Sequence, residues 1–93
     1  MAGKVRAHIL VTGKVQGVYY RQKTMETAKS HVVTGWVRNL PDGRVEAVLE
    51  GDESGVKSVI EWCKIGPPKA QVENVDTKFE SYTGKFSEFV ISY

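Results

Sequence analysis

The sequence predicts an α+β fold in which two helices cover one face of an antiparallel sheet. Three observations predict it. Apolar residues alternate at period two in several short runs, as in half-buried strands. Val56, Val59, Ile60 and Cys63 fall at i, i+3, i+4 and i+7, one stripe of a helix. The elements then read strand, helix, strand, strand, helix, strand, with a final short strand, which is the order of a split βαβ, ferredoxin-like sandwich (βαββαβ). Right-handed crossovers bring both helices to the same side. One sheet face is left exposed, and the first loop and the second-to-third hairpin are left as the places for function.

Each element has its own signal. In the first strand Val5, Ala7, Ile9 and Val11 alternate with Arg6, His8, Leu10 and Thr12. A glycine-bounded loop, Gly13 to Tyr19, interrupts it. Tyr20 to about His31 lacks Gly and Pro and holds mostly good helix formers; its inward face would be Tyr20, Thr24, Thr27, Ala28 and His31. Val33 to Asn39 is strand-like, and Leu40-Pro41-Asp42-Gly43 has the composition of a hairpin turn. Beyond it Val45, Ala47 and Leu49 point inward and Arg44, Glu46 and Glu50 outward. Glu50, Asp52 and Glu53 cluster near the start of the second helix, where the helix dipole favours negative charge. Gly66-Pro67-Pro68 stops that helix. Val75, Thr77 and Phe79 alternate in a fourth strand, and Phe89, Ile91 and Tyr93 in a last one.

Ninety-three residues make one small domain, 1–93, which buries only about 60–65% of its unfolded surface. Such a chain has no room for a large cofactor, so any chemistry must use a shallow site. The balance of 41% hydrophobic and 26% charged residues excludes a disordered tail. One cysteine excludes an internal disulfide, and Cys63 reads as core. Apolar runs as short as Ile9-Leu10-Val11 exclude a membrane span, and with no charged-then-apolar leader the expectation is a soluble cytoplasmic protein. His8, expected on the outer sheet face, and His31, expected at a helix end, have no second ligand at metal-binding spacing, so no metal or cofactor is expected. Trp36 and Trp62 read as packing residues. The net charge of +2 hides an asymmetry: residues 1–44 carry eight Lys/Arg and two acids, a surplus of +6 able to steer an anion.

That surplus surrounds the loop Gly13-Lys14-Val15-Gln16-Gly17-Val18-Tyr19-Tyr20-Arg21. A helix N-terminus offers unpaired N–H donors and about half a positive charge, and glycines let the backbone turn so that successive amides form an anion nest. Arg21 adds a planar fork matched to two phosphate oxygens. The spacing matches neither the G-x-x-x-x-G-K-[ST] nucleotide loop nor G-x-G-x-x-G. On spacing alone, a plain βα turn beside a surface arginine accounts for it as well. Asn39 alone reads first as a turn residue before Pro41-Asp42-Gly43.

The fuller wording carries more. Val11-x-Gly13-x-Val15-Gln16-Gly17-Val18-x-Tyr20-Arg21 resembles the first signature of the acylphosphatase family. Gly35-Trp36-Val37-Arg38-Asn39-x-x-x-Gly43-x-Val45, followed by Gly51, resembles the second. Thr24, Ala28, Gly66-Pro67 and Tyr93 also fit, so the resemblance spans essentially the whole chain. Two positions depart from the family pattern: Tyr20 stands where Phe is usual, and a buried tyrosine hydroxyl needs a partner; His31-Val32-Val33 replaces a Leu-Gly-type helix exit.

The resemblance implies a metal-free hydrolase of acid anhydrides, an acylphosphatase that cleaves the carboxyl–phosphate bond of acyl phosphates to carboxylate and inorganic phosphate. It implies phosphate held by the amides of Val15, Gln16, Gly17, Val18, Tyr19 and Tyr20 and by Arg21, with Asn39 orienting the attacking water. The partners it implies are a small-molecule acyl phosphate and inorganic phosphate; no nucleic-acid or membrane partner is expected from the composition, and a monomer is expected although no pattern in the sequence decides the oligomeric state. The alternative is a non-catalytic phosphate-, anion- or RNA-binding ferredoxin-like module. RNA-recognition domains of this topology carry aromatics on a central strand. The third strand here, Arg44 to Glu50, has none and holds two acids.

Overall fold

In the computed structural model, which describes residues 3–92, the chain runs β1 (Lys4–Lys14), α1 (Tyr20–Ser30), β2 (Thr34–Asn39), β3 (Val45–Asp52), α2 (Glu53–Cys63), β4 (Gln71–Glu80) and β5 (Phe89–Ile91). The α+β sandwich is as expected, with one sheet in the order β4-β1-β3-β2-β5. The ladders β1–β3, β1–β4 and β2–β3 are antiparallel. β5 pairs with β2 in parallel, so the five-stranded sheet is mixed.

The core is what the alternation predicts. Ala7, Ile9, Val11, Val37, Val45, Ala47 and Leu49 turn one sheet face toward the helices, and Val56, Val59, Ile60 and Cys63 of α2 close on them. α1 contributes less, burying Tyr20, Thr24 and Ala28. Thr27 is half-buried and His31 exposed, so the expected inward face ends one turn early. His31 is the residue that caps the helix C-terminus. Of the three acids expected at the start of α2, only Glu53 lies in its first turn; Asp52 is the N-cap and Glu50 belongs to β3. In β4 the expected alternation buries little: Val75 is half-buried, while Thr77 and Phe79 are exposed on an edge strand. Tyr93 lies outside the described residues.

The outer sheet face differs most from expectation. His8 does sit there, its Nε2 2.6 Å from Glu46, which also accepts from Arg38 Nε at 2.7 Å. Trp36 is half-buried, with the Arg38 guanidinium 5.2 Å from its ring centroid. Glu50, however, is not solvated: the segment between β4 and β5 folds back over it and leaves it 0% exposed. The carboxylate accepts from Thr83 N–H at 3.0 Å, Thr83 Oγ1 at 2.8 Å, Gly84 N–H at 3.0 Å and Arg6 Nη1 at 3.1 Å. Burial alone would raise its pKa; the hydrogen bonds from Thr83, Arg6 and Gly84 outweigh that and hold it below the usual carboxylate range.

Candidate active site

The loop between β1 and α1 is shaped by two kinds of residue. Val15 and Val18 are buried and pin it to the core. Gly17 (φ 73°) and Tyr19 (φ 63°) both take left-handed backbone and turn the chain between those anchors. Upstream, β1 breaks register between Thr12 and Gly13, where the strand runs so close to β4 that a side chain on Gly13 would collide with the Gln71 carbonyl.

Tyr19 is the N-cap of α1, and it gives no side-chain hydrogen bond to the helix; the first turn holds no acid. The positive end of the helix is therefore uncapped and uncompensated, as an anion site requires. Behind it, Tyr20 answers the question its hydroxyl poses. The ring is 2% exposed, and its OH donates to the Cys63 carbonyl at 2.7 Å. The ring packs 5.5 Å from that of Trp62, and Thr24 Oγ1 donates to the Tyr20 carbonyl at 2.7 Å. Burial pushes the Tyr20 hydroxyl far above its ordinary pKa and the Cys63 thiol up to about 12, so neither ionises near neutrality. Both are framework.

A cleft of about 390 Å³ opens in front of this helix end. It brings together Val15, Gly17, Tyr19, Tyr20 and Arg21 from the loop and helix start with Asn39 from the end of β2. Gln16 and Val18 are expected at the site through their backbone amides, and their side chains point elsewhere: Val18 is in the core, and Gln16 donates through Nε2 to the carbonyls of Leu40 (2.8 Å) and Arg44 (3.0 Å). Two unexpected residues line the cleft, Gln22 and Ile91. Gln22 follows Arg21 directly, a local signal that was available. Ile91 gets there through the β2–β5 ladder, which no local pattern announces.

Asn39 carries the most telling geometry. Its Oδ1 is buried and has no hydrogen-bond partner among the described residues. A buried acceptor left unmade costs about 1–3 kcal/mol, so each such atom asks for an explanation. Asn39 is also one of the residues that line the cleft with Arg21. Among the described residues, no three His, Cys, Asp or Glu side chains are grouped to hold a metal ion, and no helix is long and apolar enough to cross a membrane.

A family model described as acylphosphatase matches residues 7–91. The chain belongs to the acylphosphatase family. An acylphosphatase from Pelotomaculum thermopropionicum is 50% identical over 90 residues, spanning 97% of this chain and 98% of that protein. Among solved structures, an acylphosphatase from Coxiella burnetii superposes with a TM-score of 0.91 at 36% identity, over 96% of this chain and 93% of that one. The acylphosphatase of Bacillus subtilis gives 0.92 at 34% identity, over 96% and 99%.

Proposed function

We propose that this acylphosphatase hydrolyses the carboxyl–phosphate bond of acyl phosphates through the residues gathered at the cleft. The amides of residues 15–20 and the Arg21 guanidinium hold the phosphoryl oxygens. Their negative charge persists through a loose transition state, so positioning and fixed charge supply most of the catalysis. Asn39 Oδ1 accepts a hydrogen bond from a water and aims it at phosphorus, in line with the leaving oxygen. The new P–O bond forms as the P–O bond to the acyl group breaks, and its electron pair leaves on the carboxylate. The water proton passes to a phosphate oxygen. The leaving carboxylate is a weak base, so no strong general base is needed, and a carboxylate in place of Asn39 would repel the substrate.

One observation carries this reading: Asn39, whose buried amide oxygen has no partner among the described residues, lines the same cleft as an uncapped helix N-terminus and an arginine. An RNA-binding role is disfavoured. The outer positions of β1 and β3 are Arg6, His8, Leu10, Glu46, Val48 and Glu50, with no aromatic platform and both acids already engaged. The test is hydrolysis of a synthetic acyl phosphate in EDTA, wild type against Arg21→Ala. Wild type is expected to turn over, and the variant to lose at least about 10³-fold in kcat/KM together with inhibition by inorganic phosphate. An unimpaired variant would remove Arg21 from the mechanism.

A further inference from the structure

We propose that Gln16 is a positioning residue that sets the distance between the phosphate-holding loop and Asn39, an inference that rests on the function proposed above. The ladders set Asn39 opposite Val45 and Val45 opposite Val11, but they end at the strands and do not reach the loop itself. The loop issues from β1 and Asn39 ends β2, yet β3 lies between those strands in the sheet, about two strand spacings of 4.8 Å across. No ladder joins the two halves of the site directly.

The Gln16 side chain crosses the gap. Its Nε2 donates to the Leu40 carbonyl at 2.8 Å and to the Arg44 carbonyl at 3.0 Å. These two residues close the β2–β3 hairpin: Leu40 N–H donates to Arg44 O at 2.8 Å, and Gly43 N–H to Leu40 O at 3.2 Å. The Gln16 amide thus rests on both ends of the hairpin turn that follows Asn39, on Leu40 next to it and on Arg44 across from it. Two convergent acceptors demand a side chain with two donors on one nitrogen and enough reach. Glutamate would present oxygen to two carbonyls, and asparagine is one methylene short. Gln16 touches the hairpin rather than the reacting atoms, so it acts through Asn39.

The experiment is a double-mutant cycle on Gln16→Met and Asn39→Ala, with Gln16→Asn as a second probe that keeps the amide and shortens its reach. Steady-state hydrolysis of an acyl phosphate, inhibition by inorganic phosphate and thermal unfolding are measured for each variant. The expected result is a kcat about 10–100-fold lower in both Gln16 variants, while inhibition by phosphate stays within about threefold because the loop amides and Arg21 travel together. In the Asn39→Ala background the same Gln16 change is expected to cost less than about threefold. A Gln16→Met loss of the same size in both backgrounds, phosphate inhibition weakening in step with kcat, or undiminished kcat would each overturn the inference. Undiminished kcat in Asn39→Ala alone would instead overturn the underlying reading of the water site.

Discussion

Asn39 and Glu50 stand on neighbouring strands and each buries a polar group, a single amide oxygen in the half-buried Asn39 and a whole carboxylate in Glu50, and the two are treated in opposite ways. Glu50 lies under the 81–86 segment with two backbone amides, a hydroxyl and a guanidinium directed at its carboxylate. Arg6 in turn reaches Glu80 at 3.1 Å and lies 5.7 Å from the Phe86 ring centroid. Asn39 ends β2 with its Oδ1 unpartnered among the described residues. The burial cost of the first group is offset within the chain; the second has no such offset among the described residues, and the function proposed above assigns it a water. A fully satisfied buried charge holds architecture, whereas the proposed function makes the unsatisfied acceptor part of the chemistry. Breaking each should therefore fail differently.

Asn39→Ala should break the chemistry and spare the fold. Removing the acceptor that aims the water is expected to lower kcat by about 10²–10³-fold. Inhibition by inorganic phosphate should persist, because Asn39 acts on water rather than on the anion. Thermal unfolding should be unchanged or slightly raised, since the truncation deletes an acceptor the fold does not satisfy. Steady-state kinetics with phosphate as inhibitor checks the first two outcomes. A collapse of phosphate affinity would move Asn39 into the anion site.

Glu50→Gln should do the reverse. The amide keeps the volume but loses the charge facing Arg6 and turns an NH₂ toward groups that donate. Removing one partner of a buried charged cluster is expected to cost about 3 kcal/mol, measured by denaturant unfolding, with turnover per folded molecule unchanged. The pH dependence follows the sign of the shift. Glu50 and Glu46 both have pKa values held below the ordinary carboxylate range in the fold. For each, burial alone would raise the value and hydrogen-bond partners more than reverse it. Their contribution is therefore present above the unfolded-state value of about 4.3 and is lost as pH falls through the lower folded values. Wild type should lose stability on acidification below about pH 4.3, and Glu50→Gln should flatten that slope. An equally steep acid limb in the variant would assign the loss to other carboxylates.

The same contrast explains what could be read from the chain in advance. The stripes of β1, β3 and α2 were legible because local periodicity reports the face toward the core, and Val45, Ala47, Leu49, Val56, Val59, Ile60 and Cys63 are all buried. The resemblance supplied Arg21 and Asn39 and the loop, and Arg21, Asn39 and most of the loop meet at one cleft. Alternation also assigned Glu50 to solvent. It could not register that Thr83 and Gly84, 33 and 34 residues later, fold back over the sheet. Gln16 was read through its backbone amide, while its side chain finds partners 24 and 28 residues on. Both misses are long-range polar contacts, which leave no period in the sequence. β4 shows the converse limit: Thr77 and Phe79 alternate correctly but lie on an edge strand, where the pattern gains little burial.

The smallest effect expected comes from strain with no site beside it. Tyr19 and Val32 are the two non-glycine residues with positive φ among the described residues, at 63° and 56°. Tyr19 bends the loop at the cleft, where strain serves the geometry of the site. Val32 lies at the exit of α1, where the sequence departs from the family's Leu-Gly pattern. The hydrogen bonds there form a Schellman cap: Val33 N–H donates to Ala28 O at 2.8 Å and Val32 N–H to Lys29 O at 3.2 Å. That cap places its second residue past the helix in the left-handed region, which suits glycine and burdens a β-branched side chain by about 1–2 kcal/mol. Val32 is 84% exposed, so truncating it removes little packing. Glycine would relieve the strain while adding about 0.5–1 kcal/mol of unfolded-state entropy. Val32→Gly is therefore expected to stabilise by about 0.5 kcal/mol, a rise in Tm of about 2–4 °C, with kcat/KM unchanged. Differential scanning calorimetry and the acyl phosphate assay measure the two sides. A fall in Tm would mean that Val32 supports the fold through its side chain, and strain at the helix exit would then not be the residue's dominant effect.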